Sequence, residues 1–129
     1  TRIDAEHNTV TATILVGDDP GGVWASDDAV WVTNLADDTV ARVDPRTNEL
    51  IASIDAGNEP NAVVGSSGVV WVTNRRQRTL TKIDAETNEA VATIDLPSSP
   101  ASVAATADQV WVRSGEEPEV YRVDTAEVP

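Results

Sequence analysis

The chain has 129 residues, which is enough for one modest domain with a hydrophobic core. It carries 22 Asp and Glu against 9 Lys and Arg, and the net charge of −13 repels nucleic acid and anionic lipid, so we expect neither as a partner. No apolar run approaches the ~20 residues of a membrane span, and the absence of cysteine excludes disulfides and thiol chemistry.

The predicted elements follow a 40-residue repeat. The chain begins with Thr1–Asp4, which matches the tail of a third strand, and continues with Thr9–Val16, which matches a fourth strand. Two units of four strands follow at residues 20–56 and 60–96, and residues 100–124 predict a first, second and third strand. We interpret this as three blades' worth of strands, in which residues 100–124 and residues 9–16 form one composite blade.

The repeat is visible letter for letter in its second strand. VWVTN occupies residues 30–34 and again 70–74, and VWVRS occupies 110–114, so the tryptophans fall at Trp31, Trp71 and Trp111. Residues on both faces of this strand are apolar, as a strand clamped between two neighbouring sheets requires. We therefore predict that the three tryptophans form the repeat core, in equivalent buried sites.

The middle unit shows the four strands most clearly. β-Branched residues, strict alternation and regularly spaced turn signals favour strands over helices. The turn at Ser66–Gly68 offers a glycine for a positive backbone angle, and the turn at Asp84–Asn88 joins an amide-accepting Asp to an Asn that tolerates the left-handed conformation. The predicted strands are Asn61–Gly65, Val69–Thr73, Thr79–Asp84 and Ala90–Asp95.

Four short antiparallel strands in each 40-residue unit predict an all-β fold of β-propeller blades. The stretch WVTN followed by TVARVDPRTNELIASIDAGNEP also resembles the YVTN-type β-propeller repeat, with Trp in place of Tyr. That resemblance implies a propeller fold and favours an extracytoplasmic location, because the family includes surface-layer proteins and secreted or periplasmic propellers. Similar repeats occur in a streptogramin-inactivating lyase, and others are attached to enzymes or sensors.

Several polar residues are candidates for a site. His7 is the single histidine and lies in a predicted turn, where we expect it to be solvated. Three Asp-Asp pairs raise the possibility of calcium, but the spaced Asp pattern of calcium loops is missing, so solvated loops are the simpler interpretation and no metal or cofactor is predicted. The pairs are Asp18-Asp19, Asp27-Asp28 and Asp37-Asp38.

Two features point to a possible ligand or partner contact. Arg75, Arg76 and Arg78 form the basic cluster of this acidic chain, which predicts either charge pairing with neighbouring acidic loops or contact with an anionic ligand. Trp24 is the tryptophan outside the repeat register; it lies on the predicted innermost strand and could line a central channel. Packing and ligand stacking are both open for Trp24.

These observations favour a non-enzymatic interaction or scaffold module that completes its ring by self-association. Known propellers have ~4–8 blades, so a half propeller predicts a six-bladed homodimer. At each seam, Tyr121–Asp124 of one chain would pair with Thr9–Val16 of the other and displace Thr1–Asp4. One alternative is a fragment or engineered half of a larger propeller, consistent with the lack of methionine. A second is a lyase-like enzyme with its site at the ring axis, which a single histidine disfavours.

Overall fold

The computed structural model describes residues 1–128, which form thirteen β-strands in four antiparallel sheets and one short 3₁₀ turn, Thr125–Glu127. The first sheet contains β1 (Arg2–Asp4) and β2 (Thr9–Ala12). The second contains β3 (Pro20–Ala25), β4 (Val30–Asn34), β5 (Thr39–Asp44) and β6 (Glu49–Asp55). The third contains β7 (Pro60–Ser66), β8 (Val69–Asn74), β9 (Thr79–Asp84) and β10 (Glu89–Asp95). The fourth contains β11 (Pro100–Ala105), β12 (Gln109–Ser114) and β13 (Val120–Asp124).

The all-β class and the repeated antiparallel strands are therefore confirmed. Each strand predicted in the middle unit is present and is at most one residue longer at either end. The turn chemistry is as predicted: Gly68 has φ +77°, Asn88 has φ 60°, and Oδ1 of Asp84 accepts the amide of Glu86 at 2.8 Å. The local residues thus determine where each hairpin reverses.

The fourth strand predicted at Thr9–Val16 was too long, because β2 ends at Ala12. Its partner β1 supplies only Arg2–Asp4 for pairing, so residues 13–16 have no ladder partner within residues 1–128. The sequence predicts that Thr1–Asp4, which includes β1, is displaced at a dimer seam. In the single chain it pairs with β2, from Arg2 opposite Ala12 to Asp4 opposite Thr9.

The second, third and fourth sheets stand side by side, and their first strands lie closest together. Strand β3 contacts β7, and β7 contacts β11, while the outer strands β6 and β10 approach each other less closely. One hydrophobic cluster fills the space between the second and third sheets, and another fills the space between the third and fourth. Strand β8 contributes Val70 and Val72 to the first cluster and Trp71 to the second, which explains why both of its faces are apolar.

The three repeat tryptophans are not equivalent in the single chain. Trp31 and Trp71 are each 1% exposed, whereas Trp111 is 39% exposed. The prediction of three buried sites is therefore wrong for Trp111 in the isolated chain. The reason is geometric, since Trp31 is covered by the third sheet and Trp71 by the fourth. Within residues 1–128, no fifth sheet covers Trp111.

Candidate self-association interface

Each inter-sheet contact is built around a tryptophan from the second strand of a sheet. Trp31 belongs to a buried cluster with Val40 of its own sheet and with Val70, Val72 and Ile83 of the third sheet. The second contact repeats this arrangement forty residues later, where Trp71 and Leu80 meet Val110 and Val112 of the fourth sheet. A large aromatic ring facing a wall of aliphatic side chains is thus the repeating apolar unit.

A second repeating unit is polar and uses an arginine on the third strand of a sheet. Nη1 of Arg42 donates to the carbonyl oxygen of Ala85 at 2.6 Å and to Oδ1 of Asn88 at 2.7 Å, both in the hairpin turn of the next sheet. The guanidinium also lies 5.1 Å from the centroid of the Trp31 ring, a cation–π distance. Its Nε is buried without a hydrogen-bond acceptor among residues 1–128.

The same polar contact occurs forty residues earlier. Nη1 of Arg2 donates to the carbonyl oxygen of Pro45 at 2.6 Å and to Oδ1 of Asn48 at 3.1 Å. Asn48 has the φ of 60° that Asn88 also has, so both turns have the same left-handed residue at the acceptor position. The first sheet is therefore hydrogen-bonded to the second through an arginine, in the same way as the second is to the third.

The contact between the third and fourth sheets lacks this arginine. Lys82 occupies its position, with Nζ 5.9 Å from the centroid of the Trp71 ring. The positions that correspond to Ala85 and Asn88 are Thr125 and Val128, so the acceptor amide is missing as well. Where the arginine donor is replaced by lysine, the asparagine acceptor is replaced as well. This joint replacement indicates that the arginine and the asparagine are present because they bind each other.

The fourth sheet exposes one face that carries both kinds of contact residue. Trp111 projects from β12, and Val120 on β13 is 59% exposed, although its counterpart Val40 is fully buried. Arg122 on β13 corresponds to Arg42, but among residues 1–128 its salt bridge is with Asp124 of its own strand, with Nε 3.4 Å from Oδ1. We call this set of Trp111, Val120 and Arg122 the donor face.

The second sheet carries a complementary face on the side away from the third sheet, where Val23 is exposed, Val30 and Val32 are half-buried and Val43 is buried. A cavity of about 640 Å³ lies between this sheet and the chain segment around Ile14 and Val16. We call its aliphatic wall, together with the turn that accepts Arg2, the acceptor face. That wall consists of Val23, Val30, Val32 and Val43, and the turn consists of Pro45 and Asn48.

The basic cluster lies in the loop between β8 and β9 and is largely paired. Arg75 donates through Nε and Nη2 to Oε2 of Glu59 at 2.9 and 2.8 Å. Nη2 of Arg78 approaches Oε1 of Glu116, in the loop between β12 and β13, at 3.6 Å. Arg76 is exposed. The charge-pairing interpretation accounts for two of the three arginines, and a ligand contact at this loop stays a prediction.

Trp24 packs between the first strands of the second and third sheets. Its ring lies over Gly65 of β7, where an added Cβ would come within 2.2 Å of the ring. With Trp31, Arg42 and Glu86 it lines a cavity of about 440 Å³. Trp24 is half-buried against the first hydrophobic cluster, so its observed role is packing; ligand stacking by Trp24 stays a prediction.

Asp37 and Asp38 accept hydrogen bonds from neighbouring loops, and His7 contacts an aspartate in its own turn. Oδ2 of Asp37 accepts the amide of Asp18 at 2.8 Å, and Oδ1 of Asp38 accepts the amide of Glu59 at 2.9 Å. Nδ1 of His7 lies 2.7 Å from Oδ2 of Asp4 in the exposed turn between β1 and β2. The hydrogen bond from His7, assisted by the backbone amide of Glu6, lowers the pKa of the Asp4 carboxyl below its ordinary value.

Among residues 1–128, no three His, Cys, Asp or Glu side chains come together in a group that could hold a metal ion. In the same part of the chain, none of the helical structure has the length and apolarity needed to cross a membrane.

Sequence reasoning missed the arginine contact. Its signal was present, because Arg2, Arg42 and Arg122 share one repeat position, and Asn48 and Asn88 share another. The 40-residue repeat shows which positions correspond. It does not show that the arginine of one sheet donates hydrogen bonds to the hairpin turn of the next sheet. That relation depends on how the sheets stack.

The chain is similar in fold to solved structures, although no sequence comparison finds a relative. No family model matches the chain, and no curated protein matches it. Among solved structures, Kuenenia stuttgartiensis hydrazine synthase superposes with a TM-score of 0.76 at 16% identity, over 92% of this chain and 36% of that one. Myxococcus xanthus glutaminyl cyclase superposes with a TM-score of 0.63 at 9% identity, over 83% of this chain and 48% of that one.

Both similar structures have β-propeller-type folds, and this chain spans well under two thirds of either. At such low identity the likeness concerns the fold alone. The chain is therefore an all-β protein made of β-propeller-type blades, with sheets of two, four, four and three strands.

Proposed function

We propose that the chain is a non-enzymatic interaction or scaffold module of the YVTN type that completes its propeller by pairing with a second copy. The observation that carries the proposal is the mismatch between its outer sheets. The first sheet consists of a third and a fourth strand, and the fourth sheet consists of a first, second and third strand. The first sheet lacks a first and a second strand, which the fourth sheet has, and the fourth sheet lacks a fourth strand, which β2 of the first sheet can supply.

Strand exchange would satisfy both sheets. The outer edge of β13 is unpaired within residues 1–128, and exposed strand edges promote association unless they are covered. Strand β2 of a second copy could add to this edge through main-chain hydrogen bonds. Strand β13 has five residues for pairing, whereas β1 has three, so β2 would gain ladder contacts by moving.

Two copies would close such a ring without leaving further edges. The contact joins unlike ends of two chains, and a contact of this kind forms either a closed ring or an open polymer. Two chains supply six blades' worth of strands, inside the range of ~4–8 that propellers adopt. Three chains would supply nine, outside that range.

The non-enzymatic part of the proposal is supported by how the polar groups are used. His7, the single histidine, contacts Asp4, and Asp37 and Asp38 accept backbone amides. These contacts stabilise turns and loops. We expect no hydrolase, lyase or redox activity, and a rate that disappears when a side chain at the ring axis is removed would contradict this.

Light scattering after size-exclusion chromatography tests self-association. We expect the mass of two chains at micromolar concentration and the mass of one chain after deletion of residues 1–16, because β2 is then missing. A folded monomer at micromolar concentration would overturn the proposal, and so would a dimer that survives the deletion unchanged.

A further inference from the structure

The donor face and the acceptor face correspond to the two halves of the buried contact between the second and third sheets. Subtracting forty residues from the wall that covers Trp31 gives the wall of the acceptor face. Val63, Val70, Val72 and Ile83 thus become Val23, Val30, Val32 and Val43. Adding eighty residues to the side chains that meet this wall gives the donor face. Trp31, Val40 and Arg42 thus become Trp111, Val120 and Arg122.

We infer that Trp111 and Arg122 recognise the acceptor face of a second copy, with the Trp111 ring in the cavity beside Val43 and the Arg122 guanidinium on Pro45 and Asn48. This inference rests on the proposed self-association and deepens it by assigning the residues that set the seam. We assign a second copy of this chain as the occupant of the cavity. The buried contact covers this kind of wall with an indole and a valine, and the fourth sheet exposes both, at Trp111 and Val120.

The apolar half of the assignment follows from size and shape. In the buried contact, an indole ring and a valine meet four aliphatic side chains, and all of these residues have little exposure. On the acceptor face the same aliphatic wall borders a cavity of about 640 Å³. The donor face supplies an indole at Trp111 and a valine at Val120, so the two surfaces match in chemistry as well as in register.

The polar half makes the assignment specific, because the acceptors are already in use. In the single chain, the carbonyl oxygen of Pro45 and Oδ1 of Asn48 accept Arg2. Arg122 corresponds to Arg2 through three repeats, so the two arginines compete for one pair of acceptors. When β2 leaves β1 for the partner's β13, Arg122 would take the place that Arg2 vacates.

The strand register of the seam follows from the same translation. In the first sheet, Ile3 faces Val10 and Asp4 faces Thr9, and β9 and β10 pair equivalently, with Ile83 opposite Ala90. Position 123 corresponds to positions 3 and 83. Val123 of one chain would therefore face Val10 of the other.

Truncation variants test the recognition residues by dimer dissociation. Trp111→Ala should raise the dimer Kd by about 30-fold or more, as for a buried aromatic anchor at an interface. Arg122→Ala should raise it by about tenfold or more, as for a lost charged hydrogen bond. The matched controls are Val91→Ala, an exposed apolar truncation on the third sheet, and Arg2→Ala; neither should raise Kd.

The outcomes separate this inference from the proposed function. A wild-type dimer that both Trp111→Ala and Arg122→Ala leave unchanged would overturn the seam assignment while self-association stood. An increase for Arg2→Ala equal to that for Arg122→Ala would overturn the exchange of arginines. A wild-type protein that stays monomeric would overturn both this inference and the proposed function.

Engineered cysteines test the register directly, because the chain contains none of its own. A double variant with Val10→Cys and Val123→Cys should form a covalent dimer on oxidation, since facing residues of paired strands lie within disulfide range. The control with Thr9→Cys and Val123→Cys shifts the register by one residue and turns the side chain to the other face, so it should stay uncrosslinked. Equal crosslinking of both variants, or crosslinking within one chain, would contradict the assigned register.

Discussion

Arg42 and Asn88 join two sheets through one hydrogen bond of 2.7 Å, from Nη1 to Oδ1, while the same guanidinium donates to the carbonyl oxygen of Ala85. The asparagine can meet the arginine because it adopts a φ of 60° in the hairpin turn of the next sheet. Asn88 thus forms part of a hairpin turn and also accepts a hydrogen bond from the arginine of the neighbouring sheet. This relation recurs at Arg2 and Asn48, so it links the first sheet to the second and the second to the third.

Arg42 and Asn88 should be coupled in stability. We expect Arg42→Ala to lower the free energy of unfolding by about 1.5–3 kcal/mol, because a charged hydrogen bond to a partly buried partner is lost. Asn88→Ala should then cost much less in the Arg42→Ala background than in the wild type. A double-mutant cycle by urea unfolding measures this. Additive costs would show that the two side chains do not interact; Lys82→Ala, where the acceptor amide is absent, serves as the control.

Trp71 should be a central core residue. Truncation of a buried aromatic side chain costs about 3–5 kcal/mol, so we expect Trp71→Ala to lower the free energy of unfolding by that amount. The control is Val91→Ala, a truncation at an exposed position, with an expected cost within about 0.5 kcal/mol. Equilibrium denaturation followed by circular dichroism measures both. A cost below about one kcal/mol for Trp71→Ala would place strand β8 outside the core.

Gly65 should tolerate a side chain only when Trp24 is removed. A Cβ at Gly65 would come within 2.2 Å of the Trp24 ring, so Gly65→Ala should destabilise the fold by about 1–3 kcal/mol through overpacking. In a Trp24→Ala background, Gly65→Ala should cost little or become favourable. Thermal unfolding of the four proteins checks this. In the next repeat, the smaller Val64 replaces Trp24 and Ala105 replaces Gly65, so a Cβ is present where the ring is absent.

His7 should control the titration of Asp4. The hydrogen bond from His7 lowers the pKa of Asp4, so the contact stabilises the hairpin above pH 3.8 and this contribution is lost as the pH falls through the lowered pKa. His7→Thr, the residue of the sister turns, should raise the Asp4 pKa toward 3.8. Glu6→Ala keeps the backbone amide and is the control. Carboxyl NMR titration measures both; an unchanged pKa in His7→Thr would contradict the contact.

The repeat made most of the fold predictable. Strand positions, the turn at Asp84–Asn88 and the apolar faces around Trp71 follow from local propensity and periodicity. The exposure of Trp111 does not, because it depends on whether another sheet lies beside the fourth one. Likewise, Arg122 could be placed in register with Arg42, but its partner depends on the stacking of sheets. Long-range geometry of this kind leaves no signature within a single repeat.

The central claim is that two chains close one compact ring, and small-angle X-ray scattering tests it most directly. The forward intensity should give the mass of two chains, and two 129-residue chains in one compact particle should have a radius of gyration of about 18 Å. A particle with the mass of one chain and a radius near 14 Å at micromolar concentration would contradict the account. A two-chain particle with a markedly larger radius would contradict it as well, because that shape belongs to an open, end-to-end contact.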